Sequence, residues 1–428
     1  MKRCLVIGGG IAGLSSAVYL LKAGYNVEIF ESSPKLGGRA YSFQDNLSGT
    51  VIDNGQHILM GCYKETLKFF KLISAEDNLL VQKRLCVNFL KPDYRNYKLK
   101  SFPILYPLNL ILGLLNYKAL YFKERVRVLF LLFRLPLYKS NRLETLSVYE
   151  WLERENQSER IRKAFWEIIS VGALNTNIDK ASAKIFVDIL KRMFLNGNSS
   201  TKIILPAYGL TETYCNHAEK FIEENGGKIN MQESILSFKI GNKKIYEAVS
   251  SKRTITDFDY IISSVPQYSL KKILPEDNLF GPDLAYSSIL SVHIWLKENI
   301  LDKTFYGLID SPVHWIFNHG THLTIVISDA DKYIDETKEN IFSLIVGELE
   351  KYTPIKKEMV ENYKVIKEKK ATFVPSKEAL RVRQSTKTHL TNFFLSGDWI
   401  DTGLPATIES AVLSGKLAAG KIISADKN

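Results

Sequence analysis

The sequence predicts an α/β chain. A parallel-sheet nucleotide-binding domain, assembled from separated segments, is interrupted by a discontinuous α+β domain of antiparallel sheet plus helices. Three observations predict it. The chain opens on strand, glycine turn, helix and strand; it closes on a strand, a Gly-Asp turn and a helix; and between them apolar helical runs give way to alternating strands.

The opening element is the most informative. Lys2-Arg3-Cys4-Leu5-Val6-Ile7 is a short apolar strand that breaks into Gly8-Gly9-Gly10-Ile11-Ala12-Gly13. Leu14 to Lys22 continues with Leu14, Ala17, Val18 and Leu21 at helical spacing. A second strand, Tyr25 to Phe30, ends on Glu31, with Ser32 beside it. Gly8 makes the tight turn, Gly10 lets backbone N–H groups approach a pyrophosphate, and Gly13 lets the helix pack close to the strand. The pyrophosphate sits at the helix N-terminus, over the free N–H groups at Ile11 and Ala12. Glu31 accepts from the adenosine ribose hydroxyls. An ordinary βαβ turn would share the glycines but has no need of the acid. The reading is therefore a Rossmann-like dinucleotide site.

Lys35-Leu36-Gly37-Gly38-Arg39-Ala40 adds a second tight, basic turn, in which Gly38 exposes backbone and Arg39 can reach phosphate oxygens with its planar fork. A simple NAD domain needs no such turn. The combination resembles the FAD-binding signature of the flavin amine oxidase and phytoene desaturase superfamily, which favours FAD over NAD.

Composition excludes several classes. At 428 residues, 45% hydrophobic and 24% charged, the chain reads as a soluble globular protein of two or three domains. Its four cysteines (Cys4, Cys62, Cys86, Cys215) show no CxxC and no metal spacing, so they read as reduced thiols of a cytoplasmic protein and no metal site is expected. Met1-Lys2-Arg3 leads into a glycine turn, not a cleavage site, and is not read as a signal. The net charge of +11 comes with no nucleic-acid motif; attraction to anionic headgroups on the inner face of the membrane, or solubility, accounts for it.

Next along the chain, Asp53-Asn54-Gly55-Gln56-His57 puts a glycine, an amide and an imidazole between apolar segments. From Phe102 to Tyr138 the composition turns lipophilic, but Pro103 and Pro107 interrupt the first run and Arg125, Arg127 and Arg134 flank the second. The uncharged stretch falls short of the ~20 residues of a spanning helix, so it reads as a substrate domain with an interfacial face. Ser147 to Glu155 reads as a capped helix, and further helices run to Asn196. A helix up to Glu224, strands at Lys228 to Met231, Ser234 to Ile240 and Lys244 to Val249, and the buried strand before Pro266 read as a return to the nucleotide domain. Strands Ser288 to Leu296 and Leu323 to Ser328 with helix Ile334 to Lys351 fit an antiparallel sheet covered by helices.

The closing stretch, Phe394 to Val412, places Gly397-Asp398 after a strand, where the acid can accept from a ribityl hydroxyl. Pro405, then a helix from about Ala406 through Thr407 and Ile408, brings a partial positive charge to one point, as a reduced flavin needs. The first forty residues, the Asp53 to His57 stretch, Ala173-Leu174-Asn175-Thr176 and Gly397 to Val412 together resemble one branch of that superfamily, the squalene-associated FAD-dependent enzymes or hydroxysqualene dehydroxylases of hopanoid biosynthesis. The resemblance implies that Gly55, Gln56 and His57 pass beside the flavin, and that Ile235 contacts the adenine through its backbone. It also implies a polyprenoid substrate, reduction of hydroxysqualene to squalene by reduced FAD, and an unidentified electron donor. Ser410 stands where the related signature usually has Gly.

His57 is the first candidate acid for protonating the departing hydroxyl, with Asp401 and Tyr208 as rivals. Residues 1–60, 203–266 and 390–428 are assigned to the FAD domain, and 61–202 and 267–389 to the substrate domain, with membrane-facing helices in 102–138. A carotenoid-type desaturase, an amine oxidase and a non-catalytic prenyl-lipid binding protein share these expectations of fold.

Overall fold

The computed structural model describes residues 1–274 and 281–426. One sheet has five parallel strands in the order Lys228–Met231, Asn26–Glu31, Arg3–Ile7, Tyr260–Ser263, Phe393–Leu395. Distant pieces of chain thus lie side by side: Val6 is flanked by Ile29 and Ile262, and Ile262 by Phe394. Covered on both faces, such strands must be apolar throughout, and Leu5, Val6, Ile29, Ile261 and Phe393 are fully buried. Helices Ile11–Lys22, Asn216–Glu224 and Ile408–Ala425 share one core on the first face. The second face packs on the three-stranded sheet Ile235–Gly241, Lys244–Ser250, Thr254–Ile255.

The other large sheet has seven strands in the order Val360–Phe373, Tyr286–Leu296, Leu323–Ser328, Trp315–Asn318, Phe305–Leu308, Cys86–Lys91, Arg95–Lys100. Its pairings are antiparallel except Phe305–Leu308 with Cys86–Lys91. Helix Lys338–Tyr352 packs on one face, and the helical segments between Leu108 and Phe194 pack on the other. Cys86–Lys91 and Arg95–Lys100 were not anticipated from sequence. The second is an edge strand, RNYKLK, whose charged side chains hide the apolar alternation that marks a strand.

Two expectations change in detail. The C-terminal helix begins at Ile408, because Thr407 is extended (φ −141°) and its side chain accepts from the Ser410 N–H. The lipophilic segment forms helices Leu108–Leu115 and Phe122–Arg134, and no described helix is long and apolar enough to cross a membrane. Two of its three flanking arginines are occupied within the protein. Arg125 donates to the Leu115 and Leu120 carbonyls, and Arg134 pairs with Glu155 at 2.5 Å.

Candidate functional site

A cavity of about 1160 Å³ runs from the C-terminal ends of the parallel strands into the helical side of the seven-stranded sheet. Open parallel sheets present their ligand crevice at that end. The volume exceeds the roughly 300–1,000 Å³ of a single-ligand pocket. Gly8, Gly10, Ile11, Ala12, Glu31, Ser32, Gly38, Arg39, Gly55, Gln56, His57, Ile235, Gly397, Asp398, Ala406, Thr407 and Ile408 all line it. Gly13 does not. It lies under the strand, where a Cβ would come 1.9 Å from the Gly8 carbonyl oxygen, so its work is close packing.

The polar end is a cradle for an extended anion. Helix Ile11–Lys22 has no side-chain cap at Gly10, so its first N–H groups open onto the cavity. Gly10 and Gly38 face one another across the two turns; a Cβ on Gly10 would meet nothing nearer than the Gly38 Cα at 3.8 Å. Glu31 is held at the strand end: Gly9 N–H donates to Oε2 at 2.6 Å and Ser33 N–H to Oε1 at 2.7 Å. Oε1 also accepts from Ser32 Oγ at 3.2 Å, whereas Oε2, with the one donor, keeps acceptor capacity for a hydroxyl.

Arg39 has a structural task that its sequence does not suggest. Its Nη1 donates to the Ala371 carbonyl at 2.6 Å and its Nη2 to Asp398 Oδ1 at 2.6 Å. The fork therefore ties the second glycine turn to the C-terminal turn and to the seven-stranded sheet, with two of its five N–H donors engaged. Asn54 completes the tie by donating to the Arg39 carbonyl at 2.6 Å.

The three candidate acids fare differently. Asp401 and Tyr208 are solvent-exposed and do not line the cavity, because the turns that carry them face outward. His57 lines it, with Nδ1 2.8 Å from the Gly55 carbonyl. A carbonyl only accepts, so Nδ1 carries the hydrogen and Nε2 offers a lone pair. Burial pushes the imidazole pKa below its ordinary value, so the ring is neutral at pH 7. In that neutral tautomer His57 offers Nε2 to the cavity as an acceptor.

Arg383 is a residue that sequence reasoning missed. Its fully buried guanidinium donates to the backbone carbonyls of Asp398, Trp399, Ile400 and Leu404, and so pins the turn that presents Asp398. No local motif marks it, since its hydrogen-bond acceptors are main-chain carbonyls and its charged neighbour, Asp401 at 3.9 Å, lies on the same distant turn. Behind the Asn54–His57 loop, the buried Asp53 carboxyl accepts from Ser42 Oγ at 2.6 Å and Leu210 N–H at 2.9 Å, and burial pushes its pKa up to about 6.

Beyond the cradle the wall is apolar, with Val87, Leu110, Leu129, Phe165, Ile169 and Phe317 facing the cavity. The fit to a flavin dinucleotide is good at the polar end: uncapped N–H groups, an anchored acid and a second helix start at Thr407 and Ile408. The apolar arm leaves space for a second, lipophilic ligand.

The sequence profile of the family described as flavin containing amine oxidoreductase matches residues 11–423. Over 431 residues the chain is 26% identical to a hydroxysqualene dehydroxylase of Zymomonas mobilis, with 98% of each chain covered. It is 24% identical to a 15-cis-phytoene desaturase of Synechococcus elongatus, covering 99% of this chain and 96% of that one. Among solved structures, an oxidoreductase from Methanosarcina mazei matches with a TM-score of 0.73 at 17% identity, over 98% of this chain and 100% of that one.

Proposed function

The chain belongs to the flavin-containing amine oxidoreductase family and is an FAD-dependent oxidoreductase, and on that premise we propose that it reduces hydroxysqualene to squalene. The observation that carries the reading is one cavity joining a dinucleotide cradle to a long apolar arm. The end-to-end likeness to a hydroxysqualene dehydroxylase supports it. In this reading residues 1–60, 203–266 and 390–428 hold FAD, and residues 61–202 and 267–389 hold the polyprenoid.

Reduced FAD supplies the hydride when bound. The balance is an alcohol, a hydride and a proton giving a C–H bond and water. The protein's part is to orient and to exclude. With FAD bound, the N–H groups at Ile11 and Ala12 would hold the pyrophosphate, Glu31 would accept from the ribose hydroxyls, and Asp398, steadied by Arg39 and Arg383, would accept from the ribityl chain. The start of helix Ile408–Ala425 supplies partial positive charge to the cavity, which would favour the negative charge of a reduced flavin held there. The apolar arm keeps bulk water from the carbon that loses its hydroxyl. His57, neutral, accepts from an N–H or O–H donor at the cradle end.

Entry of so lipophilic a substrate favours attachment to a membrane surface, and this too we propose. Leu105, Leu108, Phe122, Phe130, Phe133 and Leu137 stand exposed on and beside helices Leu108–Leu115 and Phe122–Arg134, and the same helices line the arm. A carotenoid-type desaturase is the second reading, supported by the full-length likeness to a phytoene desaturase. An anaerobic turnover with reduced flavin separates the two. Conversion of hydroxysqualene to squalene, read by mass, supports the first. Introduction of double bonds into a polyene hydrocarbon by the oxidised enzyme, with the alcohol untouched, would overturn it.

A further inference from the structure

The apolar arm and the cradle meet at a polar spot formed by Asn175 and Thr372. Asn175 ends helix Glu167–Leu174 in the left-handed region (φ 47°) and is buried. Its Oδ1 accepts from the Asp329 backbone N–H at 2.8 Å. Because that partner can only donate, the orientation of the carboxamide is settled and Nδ2 is the donor on its other side. Nδ2 gives one hydrogen to Thr372 Oγ1 at 3.0 Å and faces the Ser288 carbonyl at 3.4 Å. Thr372 is therefore an acceptor from Asn175, and its own hydroxyl hydrogen has no acceptor among its described bonds. Both residues line the cavity.

The position along the cavity is the informative part. Thr372 follows Ala371, whose carbonyl receives Arg39, and Arg39 holds Asp398. The hydroxyl thus sits where strand Val360–Phe373 abuts the cofactor turns, at the boundary between cradle and apolar arm. A hydrocarbon ligand gains nothing from an O–H donor in such a wall, and burying the donor unpaired would cost about 1–3 kcal/mol. A ligand with one oxygen on a long apolar chain removes that cost.

We propose that Thr372, oriented by Asn175, is the specificity-determining residue that receives the substrate's oxygen, and that it selects a prenyl-type alcohol over the hydrocarbon of the same length. This rests on the reductive reading above. Thr372 donates a hydrogen bond and keeps its proton; Asn175 is a positioning residue that touches only Thr372 and the chain.

The test is equilibrium binding to the oxidised holoenzyme, without turnover, of a long-chain isoprenoid alcohol and its matched hydrocarbon, followed by the flavin spectrum. The parent protein should prefer the alcohol by about three- to tenfold, the range of one neutral hydrogen bond. Thr372→Val, close in shape, should lose that preference while the hydrocarbon binds as before. Thr372→Ser should restore it. Asn175→Asp should also lose it, because the new carboxylate accepts the Thr372 hydrogen and turns it from the cavity. An alcohol preference that survives Thr372→Val overturns the assignment but leaves the function standing. A parent that shows no preference overturns the assignment as well. If that parent also fails to turn over hydroxysqualene while desaturating a polyene, the reductive reading falls with it.

Discussion

The same substitution three residues apart in one turn should fail in opposite ways. Gly10 has ordinary backbone angles (φ −71°, ψ 172°), and a Cβ there has 3.8 Å of clearance from the Gly38 Cα. Gly10→Ala is therefore expected to fold, at an N-cap cost of no more than a few tenths to about 1 kcal/mol. Its methyl nevertheless projects into the cradle that would hold the pyrophosphate. An overpacking cost of about 1–3 kcal/mol corresponds to about 5- to 150-fold weaker FAD binding. At Gly13 a Cβ falls 1.9 Å from the Gly8 carbonyl oxygen, when ordinary contact begins at 3.4 Å. The helix would have to retreat by roughly 1.5 Å, from packing that has no slack. Alanine recovers about 1 kcal/mol of helix propensity there, against an overpacking cost at or above the usual 1–3 kcal/mol. Gly13→Ala should thus be destabilised even as apoprotein. Two measurements separate the effects: flavin-to-protein absorbance with FAD titration, and thermal unfolding of the apoproteins. A Gly10→Ala protein that retains stoichiometric FAD at parental affinity would refute the cradle assignment. A Gly13→Ala apoprotein as stable as the parent would refute the packing argument.

Other outcomes follow from the geometry. Arg383→Met leaves the Asp398, Trp399, Ile400 and Leu404 carbonyls without their buried donor, at about 1–3 kcal/mol for each that stays dry. It should lower both melting temperature and FAD retention, and a variant with unchanged FAD affinity would sever Arg383 from the Asp398 turn. Asp53 has a folded-state pKa raised by burial from 3.8 to about 6, so folding favours its protonated form. That stabilisation, of order 3 kcal/mol, is complete below about pH 4 and lost as pH rises through about 6. Asp53→Asn should flatten the melting temperature across this window relative to the parent, and parallel profiles would count against it. For membrane attachment, Leu105→Asp with Phe130→Asp should reduce vesicle co-sedimentation at least tenfold, since burying such side chains stabilises by about 1.5–3 kcal/mol each. With Arg125 and Arg134 engaged internally, salt should matter less than this; binding abolished by salt but indifferent to the double variant would reverse that ranking.

What the sequence determined by itself is local. The strand–glycine–helix–strand opening, the acid at position 31, the apolar character of 102–138 and the existence of the final helix, though not its Thr407 cap, are legible, because each is set by neighbours a few residues away. Backbone needs such as a positive φ or an uncapped helix start leave a residue signature, and periodic burial leaves another. The tertiary structure decided whatever depends on partners far along the chain. Nothing near Arg39 in sequence shows that its fork also ties Ala371 to Asp398. The sequence cannot assign the tautomer of His57, which the Gly55 carbonyl selects, or the burial that lowers its pKa. Arg383 and Thr372 carry no motif, for their roles come from main-chain carbonyls and from one amide nearly two hundred positions away. A side chain's chemistry is written in the sequence, but its protonation and its free donors depend on what the fold packs against it.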